Sequence, residues 1–244
     1  GIRSYAEARA RWSLHLGEHG RGDTVPAWLK NWEGDGVIAR IETTAIAKQL
    51  TERSLPTVDV SAARHLPAMP YVETDDREFA AAAADDLLGR GFQHLAFSGD
   101  GRFMWSNNRR DGFQSHVVAA GRDVSVHETK EKPGDYQAER KQLVKWLKAL
   151  PKPVGIMACY DIRGREILDA CREAAIAVPY EVAVVGVDND DLICELSYPP
   201  LSSVIPDTQR TGYEAAALLD RMMAGDDIRA GAHLIPPLGI ATRQ

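Results

Sequence analysis

The run Val182-Ala-Val-Val-Gly-Val187 has no polar side chain, and it ends abruptly at Asp188-Asn-Asp190. A strand that is apolar at every position must be covered on both faces. Parallel sheets with helices on either side meet that condition. This run therefore asks for an α/β fold, and the rest of the chain has to supply the covering helices.

It does so in alternation. Further strands are expected at 36–41, 55–60, 71–72, 94–98, 125–127, 153–158 and 233–241. Helices are expected at 1–16, 27–32, 43–53, 109–120, 137–150, 162–174 and 207–224. Another long helix is capped by Asp75 or Asp76 and stops near Gly89 to Gly91. Residues 12–16 alternate and could equally begin a strand, 17–23 form a polar glycine-rich loop, and Gly99-Asp-Gly101 forms a turn. Alternating strands and helices predict parallel sheets with right-handed crossovers. Ligands of such sheets sit beyond the carboxyl ends of the strands, so the residues just after each strand matter most.

A chain of 244 residues suits one large domain or two lobes. The net charge of −6 argues against a phosphate-binding surface spread over the chain, so contact with DNA would need a separate, more basic module. Cys159, Cys171 and Cys194 are odd in number and never at CxxC spacing, which points to a reducing, cytoplasmic setting without disulfides. No stretch of about 18 apolar residues marks a membrane span. No signal peptide is visible either, although a chain opening at Gly1 without Met makes that absence weak. The sequence holds no GxSxG, P-loop or GxGxxG element, and its histidines lack HxH or HExxH spacing. No catalytic constellation, metal site or cofactor is therefore expected, and Cys159 reads as a buried small hydrophobe.

Four segments, in order, resemble the effector-binding core of the LacI/GalR transcription regulators, which is itself similar to periplasmic sugar-binding proteins. They are Val72-Glu-Thr-Asp-Asp76 with its alanine-rich helix, Asn108-Arg-Arg-Asp-Gly-Phe113, Gly155-Ile-Met-Ala-Cys-Tyr-Asp161, and Val178 through Asn189 continuing to Pro199-Pro-Leu-Ser-Ser-Val204. Trp105-Ser-Asn-Asn-Arg109, Gly186-Val-Asp-Asn-Asp190 and Ile235 through Arg243 look most like the sensor half of xylose-responsive regulators. The resemblance implies a periplasmic-binding-protein-like (type I) fold: two Rossmann-like lobes with parallel sheets, joined by three crossings, with a ligand in the cleft. Residues 1–106 with 207–228 would form one lobe, and 107–206 with 229–244 the other. It also implies a first strand before Gly1, an AraC-type DNA-binding module outside this chain, and a homodimer. The effector would be a monosaccharide, xylose or a related aldopentose, that shifts lobe orientation and so controls DNA binding. The competing reading is a periplasmic carrier delivering sugar to a transporter.

A pyranose needs bidentate polar groups at fixed angles and a flat apolar wall. By family match, Asp188 points at the sugar and accepts from adjacent hydroxyls; otherwise it caps the next helix. Asn189 beside it contacts the ligand or shapes the turn. Arg109 matches the arginine that grips sugar hydroxyls, with Arg110 as rival and a solvated helix charge as the plain alternative. Asp161 either caps its helix or faces the ligand. Tyr160 stacks on the sugar or bonds a hydroxyl. Trp105, expected in a loop between the lobes, either covers the sugar ring or packs. Asp207 caps the last long helix or reaches the ligand.

Overall fold

The computed structural model describes residues 1–10, 12–17, 25–129 and 136–244. In chain order the elements are α1 (Ile2–Tyr5), β1 (Val37–Ala39), α2 (Thr44–Arg53), β2 (Thr57–Asp59), β3 (Tyr71–Thr74), α3 (Asp76–Gly89), β4 (His94–Asp100) and α4 (Met104–Ala119). There follow β5 (Val124–Thr129), α5 (Tyr136–Ala149), β6 (Val154–Ala158), α6 (Asp161–Glu173), β7 (Val182–Val187), α7 (Asp191–Leu196), β8 (Ser202–Pro206), α8 (Thr208–Met223), β9 (Ala232–Ile235) and β10 (Pro237–Ala241). The chain is α/β, as its alternation predicts.

It divides into two units. The first comprises Gly1–Thr74 and Asp207–Ile235, the second Asp75–Pro206 and Pro236–Gln244. In the first unit the described strands run in the order β1-β2-β3-β9, all parallel. Val58, Val72, Ala215, Leu218, Leu219 and Ile235 fill one core cluster, and Leu29, Ile41, Ile46 and Leu50 another. Thr43 caps α2 by accepting from the Ile46 N–H at 3.2 Å.

The second unit's sheet has the order β10-β8-β7-β6-β4-β5. Side chains of a strand alternate between faces, and here both faces are dry. Phe97, Met157, Val185 and Val187 lie in one cluster with Phe79, Ala83 and Leu87 of α3 and Phe113 and Val117 of α4. Ala96, Ile156, Val182 and Val184 lie in the other with Leu143 and Leu147 of α5 and Ile167, Leu168 and Cys171 of α6. This is why Val182–Val187 carries no polar side chain. Asp75 caps α3 by accepting from the N–H groups of Arg77 and Glu78.

Several expectations need correction. The division falls at 74/75 and 235/236, not at 106/107 and 228/229. β4 pairs with both β5 and β6, and α3 packs on the same sheet, so residues 75–106 belong to the second unit. α4 starts at Met104, so Trp105 lies in the first helical turn rather than in a connecting loop. Gly99 and Asp100 complete β4 instead of forming a turn. The expected helix over 1–16 is borne out over α1 and a continuing π-helical turn at Ala6–Ala10, and 12–16 form no strand. Most of the expected loop at 17–23 lies outside the described residues. The single tail strand is two strands in different sheets, separated by Pro236, and β10 runs antiparallel to β8. β8 was not expected, and α7 was foreseen only as the helix that Asp188 would otherwise cap.

Phe97 and Phe113 are both fully buried, with ring centroids 6.3 Å apart. Phe97→Ala should cost about 3–5 kcal/mol of stability, read as a lower urea midpoint at an unchanged slope.

Candidate functional site

β4, β6 and β7 are parallel neighbours, so their carboxyl ends lie along one edge of the second unit's sheet. The segments leaving them bring Phe103, Trp105, Tyr160, Asp161, Asp188 and Asn189 to that edge. Four of the expected ligand residues thus leave the ends of two adjacent strands: Tyr160 and Asp161 after β6, Asp188 and Asn189 after β7.

The turn after β7 is held against its own preference. Asp188 and Asn189 have φ of +107° and +48°, which non-glycine residues rarely adopt and which cost of order 1–3 kcal/mol each. Hydrogen bonds secure them. The Asp188 N–H donates to the Val204 carbonyl at 3.2 Å. The Asn189 N–H donates to Ser203 Oγ at 3.0 Å, and the Ser203 hydroxyl donates in turn to Asp161 Oδ1 at 2.6 Å. Asp161 Oδ2 accepts from the Asp190 N–H at 2.8 Å. Asp161 is buried, and Gly186 makes room for it, since a Cβ there would stand 2.3 Å from Asp161 Oδ1. Asp188 itself remains exposed, while the side-chain oxygen of Asn189 accepts from Arg243 Nη1 at 2.9 Å.

Of the two roles weighed for Asp161, helix capping does not hold. It is the first residue of α6, and Tyr160 occupies the capping position without a side-chain cap. The carboxylate does not cap its helix; both its oxygens serve the 188–190 turn and Ser203. Burial pushes its pKa up to about 6, reinforced by the charge of Asp188 and opposed by the Ser203 and Asp190 donors. Asp188 is not a helix cap either. That role belongs to Asp190, which accepts from the Ile193 N–H at 3.0 Å.

Arg109 is not a solvated charge. It is buried, with Nε donating to Asp76 Oδ1 at 2.9 Å and Nη1 to the Cys159 carbonyl at 2.6 Å. Its guanidinium lies over the Trp105 ring at 5.2 Å and the Phe79 ring at 5.7 Å. Its rival Arg110 pairs instead with Glu128 at 2.5 Å and Asp111 at 2.8 Å. Trp105 stacks on Phe103 at 5.4 Å and 19°, and meets the edge of Tyr160 at 5.5 Å and 67°. These rings form a continuous aromatic wall beside the guanidinium. Asp207 belongs to the first unit, where its carboxylate caps α8 by accepting from the Arg210 N–H at 2.8 Å.

Sequence reasoning missed Ser203, Phe103 and Arg243, and it weighed Asp76 as a helix cap, a role that Asp75 fills. Two serines inside the apolar run Leu201 to Ile205 were the available signal for Ser203. Burial pushes the Cys159 thiol up to about 11, so it stays protonated. Among the described residues no three His, Cys, Asp or Glu side chains converge on a point where a metal ion would sit. Among them, too, no helix is long and apolar enough to cross a membrane.

Comparison with known proteins adds an ancestry to this geometry. A family model described as a periplasmic binding protein-like domain matches residues 84–244, and one described as the XylR N-terminal domain matches residues 1–77. The xylose operon regulatory protein of Haemophilus influenzae is 34% identical over 222 residues, covering 86% of this chain and 56% of that protein. Its counterpart from Escherichia coli K12 is 31% identical over 254 residues, covering 100% of this chain and 64% of that protein. The chain thus spans less than two thirds of these relatives. A solved structure of the xylose-binding transcription activator XylR superposes with a TM-score of 0.86 at 30% identity, over 99% of this chain and 63% of that one.

The raised pKa of Asp161 has a sign that can be checked. A carboxyl group that holds its proton more tightly when folded stabilises the fold at low pH, and this contribution is lost as pH rises through its folded value near 6. Unfolding of the wild type and Asp161→Asn should be compared at pH 5 and pH 7.5. The wild type should gain about 1 kcal/mol over the variant at the lower pH. An equal difference at both values would mean that Asp161 titrates normally.

Proposed function

Because this chain belongs to the periplasmic binding protein-like family and is homologous to xylose operon regulatory proteins, we propose that it is the sugar-sensing domain of a transcription regulator, with D-xylose or a related aldopentose as effector. The observation that carries this reading is the exposed Asp188 carboxylate, held on a fixed turn at the edge of a parallel sheet. Such a carboxylate accepts from two neighbouring sugar hydroxyls without first having to be ordered. Trp105 and Tyr160 supply an apolar wall for the ring carbons, and Arg109 supplies donors beside it. Asp161 supports the turn from beneath, and Asn189 anchors it. Asp207 is a helix cap and is given no ligand role.

The site binds and does not transform. Its buried thiol is protonated, and its carboxylates are placed as acceptors. The xylose operon regulatory proteins to which the chain is similar are regulators, so the carrier reading is set aside. In the full-length protein, acting in the cytoplasm as a homodimer, the sugar would favour one conformation over another. It would alter DNA binding through a module outside this chain, to the extent that its affinity differs between the two conformations. The charge of −6 fits that division of labour, because the DNA contacts then lie elsewhere.

Thermal unfolding against xylose, arabinose, ribose, glucose and galactose is the direct test. D-xylose at about 100 times its dissociation constant should stabilise the fold by roughly 2.7 kcal/mol, a rise of a few degrees. Asp188→Ala should weaken xylose binding more than tenfold, about 1.4 kcal/mol, without loss of fold. Arg109→Ala should weaken it at least as much, and should also lower Tm, because the buried Asp76 loses the cation that faces it. Unchanged affinity in both variants would remove the site from this edge.

A further inference from the structure

Beyond the ligand-facing side of the 188–190 turn, one guanidinium collects contacts from several directions. Arg243 follows β10, and its side chain is 15% exposed. Its Nη1 donates to Asn189 Oδ1 at 2.9 Å and to the Leu201 carbonyl at 3.1 Å. Its Nε donates to Glu195 of α7 at 2.7 Å, and its Nη2 lies 3.6 Å from Asp191. The backbone around it is fixed as well. The N–H groups of Arg243 and Gln244 both reach Ser202 Oγ, at 2.9 and 3.2 Å. Gln244 Oε1 accepts from the Val184 N–H at 3.3 Å, and its Nε2 donates to the Pro200 carbonyl at 3.3 Å.

Asn189 is therefore gripped twice. Its N–H is tied through Ser203 to Asp161, and its side chain is tied to Arg243. Only the second tie comes from the tail. A turn with two left-handed residues relaxes when its restraints are removed, and a ligand would then have to reorder it on binding. We propose that Arg243 is a positioning residue for the Asp188 turn, so that sugar occupancy and docking of the 243–244 tail are coupled. The proposal rests on the sugar-site reading of Asp188. Arg243 itself touches no sugar; it acts through Asn189. Coupling of this kind is reciprocal: by whatever factor the docked tail tightens sugar binding, the sugar tightens the docking of the tail. The docking of the tail would then depend on whether the site is filled.

The test uses the full-length protein and D-xylose. Calorimetric dissociation constants are measured for the wild type, Arg243→Ala, Arg243→Lys, Asn189→Ala and the Arg243→Ala/Asn189→Ala double variant. Arg243→Ala should weaken binding about tenfold, the scale of one lost charge-assisted hydrogen bond. Lysine should restore only part of this, since a point charge cannot replace the fork. The double variant should bind no more weakly than the worse single variant, because both changes cut one connection. Hydrogen exchange of a peptide covering 237–244 should slow with saturating D-xylose in the wild type and stay unchanged in Asn189→Ala. If Arg243→Ala fails to fold, the lysine variant and the wild-type exchange experiment decide. Wild-type affinity in Arg243→Ala, multiplying effects in the double variant, or tail exchange indifferent to bound xylose would each overturn the coupling. No xylose binding by the wild type would instead defeat the sugar reading itself.

Discussion

The functional edge of this protein depends on one buried carboxylate. Asp161 sits at the start of α6, where a capping role would have been the local choice. It instead accepts from the Ser203 hydroxyl and the Asp190 N–H, 42 and 29 residues away in sequence. Through these bonds it holds the turn in which Asp188 and Asn189 take left-handed conformations. Burying a carboxylate is costly, and the raised pKa measures how incompletely its donors offset that cost. What results is a second acid, Asp188, that is exposed and whose backbone is fixed. The burial of one acid sets the backbone that carries the other.

A turn can be held this way only by a rigid sheet. In β4, β6 and β7 successive side chains enter opposite hydrophobic clusters, so neither face can slide without breaking packing on the other. The residues that follow these strands inherit that rigidity. Arg109 shows the same logic on α4: its contacts to Asp76 and to the Cys159 carbonyl tie α3, α4 and the end of β6 together.

Much of this was legible in the sequence, for identifiable reasons. Period and apolar run length gave β7, and Thr43, Asp75 and Asp207 announced helix starts through side chains that reach only two or three residues along the chain. Resemblance to LacI/GalR-type cores, rather than any local pattern, singled out Asp188 and Arg109. What escaped was whatever depends on distant partners. Asp161 looks like a helix cap until Ser203 is brought beside it. No strand was expected after Pro200 because prolines and serines disguise the entry to β8, whose Ser202 and Ser203 are fully buried yet hydrogen-bonded. The start of α4 was hidden because Phe103 to Asn108 lacks helical periodicity. The unit boundary moved with it, since β4 shows its place only through its pairing with β5 and β6.

Gly186 carries a last consequence. Its missing side chain is the seat of Asp161, and even a methyl group would stand 2.3 Å from a carboxylate oxygen, well inside contact distance. The glycine and the acid therefore form a lock that neither can leave alone. On the proposed sugar reading, retuning this edge for a different ligand would best treat 161, 186 and 203 as chassis, and place the library at 103, 105 and 160. There, aromatic rings of different size can reshape the wall while the turn keeps its direction.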